Sequence, residues 1–259
     1  MTDGLIKPFG GRDVSKWRNS RYRRVLSDNG GADEHFANVV LLMNFEDGTD
    51  PYKDYSLIGA TATEVGASNA VTTSDFKFGT TSYDATANSY LTFPANDAYD
   101  IGTSLFTAEA WVKSTNWSAC SCPFFARDGE YVFFNYGFGT YGRVRVGGWR
   151  DDTGAFLQNL SHDLLPAEDV DNEWRHSVFM GDGSTIYIFL DGVLIYSAPY
   201  VLAGYETGTA NPLLFGYATS TYGSYFTTGT LVDSVRITMD VARYDTAGFD
   251  VPTSAFPTS

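Results

Sequence analysis

Residues Ile186–Ser197 read IYIFLDGVLIYS. Two apolar runs flank Asp191-Gly192. An Asp-Gly pair between strand-like segments is a strong signal for a two-residue β-hairpin, because both residues accept the positive φ angles of a type I′ turn, whose twist matches the strands it joins. The hairpin lies within a longer run, WRHSVFMGDGSTIYIFLDGVLIYS over 174–197, which reads as three strands with a further turn at Asp182-Gly183. Upstream, NVVLLMNFE over 38–46 is continuous enough in apolar residues to be a strand buried on both sides. In FTAEAWVKS, Phe106, Ala108, Ala110 and Val112 fall on one face, with Thr107, Glu109, Trp111 and Lys113 on the other. PFFARD, YVFFNYG, GRVRVGGW, NPLLFGYA and TLVDSVRITM supply further short strands, and the residues between GRVRVGGW and Asp171 read as a polar loop.

The chain has 259 residues, 43% hydrophobic and 16% aromatic, with 26 glycines, enough apolar material for a large core and a composition that favours strands over helices. Short strands at fairly regular spacing with Gly, Asn and Asp turns indicate an all-β fold, a two-sheet antiparallel β-sandwich. No internal repeat of 20–50 residues interrupts that reading. No apolar run reaches the roughly 18 residues of a membrane span, and the opening MTDGLIKPFGGRDVSKW lacks the apolar core of a secretory leader. Cys120 and Cys122 sit too close for an unstrained bond. His35, His162 and His176 are scattered, so no zinc set is expected. His176 reads as a hydrogen-bonded structural histidine.

Charge divides the chain. Lys7, Arg12, Lys16, Arg18, Arg21, Arg23 and Arg24 lie before residue 28, opposed by Asp3 and Asp13, a net +5. The total is −14, which leaves −19 on the remainder. Residues 1–36 therefore read as a basic N-terminal arm, in which Arg18, Arg21 and Arg24 could share one side of a short helix with Trp17 beside them. Residues 37–259 read as the sandwich. A nucleic-acid role is disfavoured because the acidic body would repel phosphate. Docking of the arm, through its basic residues and Trp17, onto an acidic protein partner is the expectation.

Three stretches carry a family resemblance. VVLLMNFEDGTDPYKDYS, EWRHSVFMGDGSTIYIFLDGVLIYS and LVDSVRITMDVARYDTAGFDVPTSAFP resemble, in this order, the opening strand and loop, the Trp-x-His strand with its Asp-Gly hairpin, and the closing Asp-x-x-Arg-Ile strand with its Ala-Arg-Tyr…Phe-x-x-Pro tail of the concanavalin A-like jelly roll, in its laminin-G-like branch. The closing tail is similar to the version found in structural proteins of tailed bacteriophages. The resemblance spans roughly residues 38–259. It implies a virion protein on the surface of capsid or tail, working as a homo-oligomer with other virion proteins as partners, with no membrane partner and with a host surface glycan as the alternative target. It also implies a structural Ca²⁺ site in which acidic residues of the opening loop and closing strand meet. Matched position by position, these are Asp47, Asp54 and Asp233, with Glu46 as substitute for Asp47. The alternative is that these acidic residues cap turns.

Two further chemistries bear on this sequence. A relative of this fold hydrolyses β-glucans with paired carboxylates written E-x-D-x-x-E, and retaining chemistry needs the two about 5 Å apart. The nearest stretch, EDVDNE over 168–173, has different spacing and lies in a polar loop, so no enzyme is expected. Two Gly/Tyr-rich stretches, NYGFGTYGRVRVGGW and FGYATSTYGSYF, offer Tyr136, Tyr141, Trp149, Tyr217, Tyr222 and Tyr225, with Phe138, as a surface for stacking sugars. Alternate aromatics on strands usually belong to the core and exposed Tyr is common at protein interfaces, so core packing, then a protein interface, come before a sugar surface for the same aromatics.

Overall fold

The computed structural model describes residues 32–66, 70–85, 90–101, 105–117, 122–127, 133–137, 143–149, 156–164, 171–199, 211–217 and 229–259. Fifteen strands are placed among them: β1 (Val39–Met43), β2 (Thr63–Val65), β3 (Ala70–Thr72), β4 (Ser82–Asp84), β5 (Tyr90–Phe93), β6 (Leu105–Ser114), β7 (Cys122–Arg127), β8 (Phe133–Gly137), β9 (Arg143–Trp149), β10 (Phe156–Asp163), β11 (Arg175–Asp182), β12 (Thr185–Leu190), β13 (Val193–Pro199), β14 (Leu213–Phe215) and β15 (Thr230–Met239). They form two antiparallel sheets. The first runs β13-β12-β11-β6-β15-β4-β3, with β1 also on β15. The second runs β10-β9-β8-β7-β14-β5-β2. The fold is the expected sandwich.

Period-two alternation decides which residues lie between the sheets. Phe106, Ala108, Ala110 and Val112 of β6 join Phe179, Ile186, Ile188 and Ile237 from the first sheet. They meet Leu91, Phe93, Phe125, Val144, Leu213 and Phe215 from the second. Gly181 pairs with Phe106 across β11 and β6, and a Cβ there would come within 2.4 Å of the Phe106 ring, so glycine lets that ring lie against the strand.

The hairpin forms as its sequence requires. Leu190 pairs with Val193, and Asp191 and Gly192 have φ of 50° and 75°, the positive values of a type I′ turn. Its tip is also a docking point: Phe249 N donates to Gly192 O at 3.0 Å, and a Cβ on Gly192 would stand 2.1 Å from Phe249 O. One segment departs from the sequence reading. Residues 156–163, assigned to a polar loop, form β10, paired with β9 and ending the second sheet. The sequence of this edge strand, FLQNLSHD, lacks the apolar alternation that marks a strand, which an edge position allows.

All of β1 is buried, as expected, yet among the described residues it pairs with β15 alone. Its free edge is satisfied by the loop that follows. Leu42 N donates to Asp54 Oδ1 at 3.0 Å, Tyr55 N donates to Leu42 O at 2.8 Å, and Ser56 Oγ donates to Val40 O at 3.2 Å. Asp54 Oδ1 also accepts from Ser56 N, and Oδ2 accepts from Ser56 Oγ and Ala60 N. This carboxylate replaces a missing strand. Removing a partner from buried amides costs about 1–3 kcal/mol per group. Asp54→Ala is expected to lower urea-unfolding stability by at least about 2 kcal/mol, while Asp47→Ala in the exposed turn leaves the midpoint nearly unchanged. Gly192→Ala, strained at positive φ and blocked by Phe249 O, should cost about 2 kcal/mol or more in the same assay.

Candidate functional site

The outer face of the first sheet carries a buried charged network. A β-bulge builds it. Asp233 pairs with Trp111 and Arg236 with Glu109, so Ser234 and Val235 together face Ala110. Ser234 takes φ 48°, the left-handed conformation that lets the extra residue be absorbed. The shift keeps Val232 and Val235 in the inner core and brings Arg236 opposite Glu109 on the outer face.

Glu109 is fully buried. Arg236 reaches its Oε1 with Nε at 2.9 Å and Nη2 at 2.8 Å, while its Oε2 faces His176 Nε2 at 3.1 Å and accepts from the Tyr244 hydroxyl at 2.5 Å. Arg236 Nη1 extends the network to Asp33 Oδ2 at 3.1 Å, and Arg243 grips the same carboxylate in bidentate fashion at 2.9 and 2.8 Å. Arg243 Nε donates to Thr238 Oγ1 at 2.6 Å. Phe256 closes over the Arg236 guanidinium, 4.1 Å from its ring centroid, and Tyr244 stacks on Phe249 at 3.7 Å. The C-terminal tail is therefore the cover of this face, fastened by ion pairs and aromatic contacts.

Burial works to raise the Glu109 carboxyl, but the Arg236 charge, the His176 hydrogen bond and Arg243 hold it down at about 2. Asp33 behaves likewise: burial is outweighed by the hydrogen bond and charge of Arg243 and by Arg236, leaving it below the usual carboxylate range. Burial, followed by the neighbouring Glu109 charge, pushes the Tyr244 hydroxyl well above its ordinary value. All three carboxylate and phenol groups have partners inside the protein, an arrangement suited to holding structure. His176 is buried and hydrogen-bonded, as its sequence reading requires. The Arg175 side chain and His176 N both bond to Asp191 of the hairpin turn.

Sequence reasoning quoted Arg236, Arg243, Tyr244 and His176 within its motifs but gave them no common role, and it did not single out Glu109 or Asp33. The available signal was a glutamate alone in an apolar strand. The bulge conceals its pairing, since the strict alternation of a regular strand does not place Asp233 and Arg236 on one face.

The four carboxylates carried over as a calcium set fall into three places. Asp54 satisfies the edge of β1. Asp47 accepts from Thr49 N at 2.9 Å and Thr49 Oγ1 at 2.7 Å, and pairs with Lys53 at 3.1 Å, which lowers its pKa in an exposed turn. Glu46 and Asp233 approach one loop: Glu46 Oε1 accepts from Thr80 N and Thr81 N at 2.9 and 2.8 Å, and Asp233 Oδ2 accepts from Lys77 N and Phe78 N, both at 2.9 Å. Burial raises the Asp233 carboxyl to about 6 against its backbone donors, with the Glu46 charge adding to the rise. Among the described residues no three His, Cys, Asp or Glu side chains form a metal-holding group. The four residues therefore do not fit a single shared ion, and the Glu46–Asp233 pair is the part that keeps two carboxylates together.

Of the aromatic candidates, Tyr217 is half-buried and stacks on Tyr90 at 4.9 Å, against Ala126 and Leu214 on the outer side of the second sheet. Tyr136 pairs with Cys122 and Val144 within the second sheet, and Trp149 pairs with Phe156 there. Phe138, Tyr141, Tyr222 and Tyr225 lie outside the described residues, as do Lys7, Arg12, Lys16, Trp17, Arg18, Arg21, Arg23 and Arg24. In the stretch weighed for hydrolysis, Glu168 also lies outside them. Asp171 is an exposed turn residue accepting from Trp117 N at 2.8 Å, and Glu173 is exposed.

Residues 84–242 match the family described as the concanavalin A-like lectin/glucanases superfamily, Laminin_G_3. The chain belongs to this superfamily. Among solved structures it is similar to the binding domain of botulinum neurotoxin serotype D, with TM-score 0.58 and 10% identity over 80% of this chain and 49% of that one. The serotype C1 binding domain gives 0.57 and 12% over 78% and 49%. The binding domain of neurotoxin DC, in complex with rat synaptotagmin II, gives 0.58 and 10% over 79% and 48%. At these identities the likeness is one of fold, and the chain spans about half the length of these structures. No curated protein matches it in sequence. The superfamily match ends at Ala242, just before Arg243 and Tyr244, so the tail that seals the Glu109 network lies beyond it.

Stability should follow the two perturbed carboxyls. Glu109, depressed to about 2, contributes stability that is present above its ordinary 4.5 and lost as pH falls towards 2. Asp233, raised to about 6, contributes stability that is present below its ordinary 3.8 and lost as pH rises through 6. The gain from Glu109 and the loss from Asp233 balance near pH 4, where urea midpoints are thus expected to peak. Asp233→Asn should remove the decline between pH 5 and 7.5, and at pH 7.5 should be more stable than the parent by about 2 kcal/mol. Arg236→Met, which strands the buried Glu109 charge, should cost about 3–5 kcal/mol at neutral pH.

Proposed function

We propose that this is a non-enzymatic virion surface protein of a tailed bacteriophage, attached to capsid or tail by its basic N-terminal segment and displaying the sandwich. The observation that carries this reading is the fastening of the chain at Asp33. Its side chain is clamped by Arg236 and Arg243, and its backbone N–H donates to Ser259 O at 2.9 Å. Asp33 thus lies at the tail-covered face of the first sheet, and the seven basic residues precede it in sequence. A +5 segment joined to a −19 body suits docking on an acidic protein surface and disfavours nucleic acid. The likeness of the closing tail to tailed-phage structural proteins supports the virion setting and, with it, a homo-oligomer.

Asp33 and Phe36, which packs with Val39, Leu42 and Phe256, belong with the sandwich, so the working boundary of the arm lies before Ala32 rather than at residue 36. The involvement of the Glu109 carboxylate in three internal contacts supports a binding protein over a hydrolase. For calcium, the proposal narrows to Glu46 and Asp233 as donors with a structural role. It predicts that added Ca²⁺ raises the melting temperature at pH 7.5 and that Asp233→Asn abolishes the rise.

A second reading, a receptor module for host glycans, is favoured by the superfamily and by the neurotoxin binding domains that share the fold. The two separate in one experiment. The full chain and a chain beginning at Ala32, which keeps Asp33, are used to capture material from infected-cell lysate, identified by mass spectrometry. Attachment predicts that the full chain retains a phage capsid or tail protein and that the shorter chain loses it. Equal retention by both, or capture of host polysaccharide alone, contradicts it.

A further inference from the structure

Asp33 precedes Val39, the first residue of β1, by a stretch that spans at most about 20 Å when extended. Tension applied through the N-terminal segment therefore reaches Asp33 first and β1 second. The two attachments differ in kind. β1 has five residues and, among the described residues, a single partner strand, β15. Its bonds lie across the strand, so tension at the Val39 end opens them one after another. Asp33 is held at several points together. Its N–H donates to Ser259 O at 2.9 Å, Arg243 Nη1 and Nη2 donate to Oδ1 and Oδ2 at 2.9 and 2.8 Å, and Arg236 Nη1 donates to Oδ2 at 3.1 Å. These bonds all end on one residue and so share a load.

Both arginines are anchored in the longest described strands. Arg236 belongs to β15 and bonds Glu109 of β6, and each of these strands has ten residues and neighbours on both sides. Arg243 donates its backbone N–H to Thr107 Oγ1 of β6 at 3.1 Å and its Nε to Thr238 Oγ1 of β15 at 2.6 Å. The side chain of Asp33 is 4% exposed and those of Arg236 and Arg243 are each 2% exposed, so water has no access to replace the bonds singly. Charge-assisted, bidentate bonds away from water are the strong ones. Phe36 and Phe256 pack with Val39 and Leu42 over the short stretch between this clamp and the strand.

We propose that Asp33 is a mechanical stop: tension on the N-terminal segment passes through Arg236 and Arg243 into β15 and β6, and β1 bears none of it until the clamp has broken. A displayed domain held by one end needs such a stop, because any drag on the sandwich is transmitted through the segment that attaches it. The closing tail, which lies beyond the superfamily match, supplies Arg243 and Ser259 and is thereby part of the device. The purpose of the stop rests on the attachment reading, whereas its mechanism rests on the Asp33 geometry alone, so the two can fail separately.

The test is single-molecule force spectroscopy on the full-length protein. Azide handles are placed at Ala32 and Glu173, both exposed, and separately at Asp97 and Glu173, a control pair that bypasses the clamp. Pulled from Ala32, the parent should not lengthen until the sandwich itself opens. Asp33→Ala should add an early lengthening of up to about 20 Å, the slack between residue 33 and β1. It should also shorten the time to opening at constant tension by about tenfold or more, with an effect on the control pair smaller by a factor of about ten. An early step of that length in the parent would overturn the proposal, and this outcome decides by itself if Asp33→Ala fails to fold. Equal shortening in both geometries would also overturn it, because Asp33 would then serve overall stability only. If no virion protein is captured while the difference between the two geometries persists, the attachment reading falls and the stop remains.

Discussion

A carboxylate removed from water must be neutralised and hydrogen-bonded or it destabilises the protein by several kcal/mol. Glu109, in the middle of the central strand β6, imposes that requirement on everything around it. Arg236 can meet it only because a bulge in β15 shifts its side chain opposite Glu109. Arg236 in turn is buried and shared with Asp33, and Asp33 needs Arg243. Tyr244 and Phe256 then follow from the same tail, one donating to Glu109 and the other covering Arg236. Both ends of the described chain are thereby tied to one point on the outer face of the first sheet.

The acidic residues near the opening loop obey the same rule in smaller units. Asp54 supplies acceptors to a strand with a bare edge, and Glu46 and Asp233 cradle the amides of the 77–81 loop. Asp233 bears a cost for that position, since burial and Glu46 both favour its neutral form.

Much of this architecture was legible in the sequence because it rests on local rules. The Asp191-Gly192 turn, the buried β1 and the division of β6 into two faces all follow from period two and turn chemistry. The Glu109 network was not legible, since its members are separated by as many as 210 residues and meet through a bulge that alternation does not reveal. β10 escaped because an edge strand needs no apolar pattern, and the role of Asp33 was hidden because it looks like one more polar loop residue until Arg243 is brought to it. The four-carboxylate calcium set was read from motif order alone, which does not fix where side chains converge.

The central claim is that Asp33 and Glu109 act as one unit through Arg236. A double-mutant cycle of Asp33→Asn and Glu109→Gln, followed by urea unfolding at pH 7, tests it most directly. The account predicts that the two effects fail to add by more than about 1 kcal/mol, as for groups in one network. Additivity to within about 0.5 kcal/mol would contradict it, and would mean that the tail and the N-terminal segment are held independently.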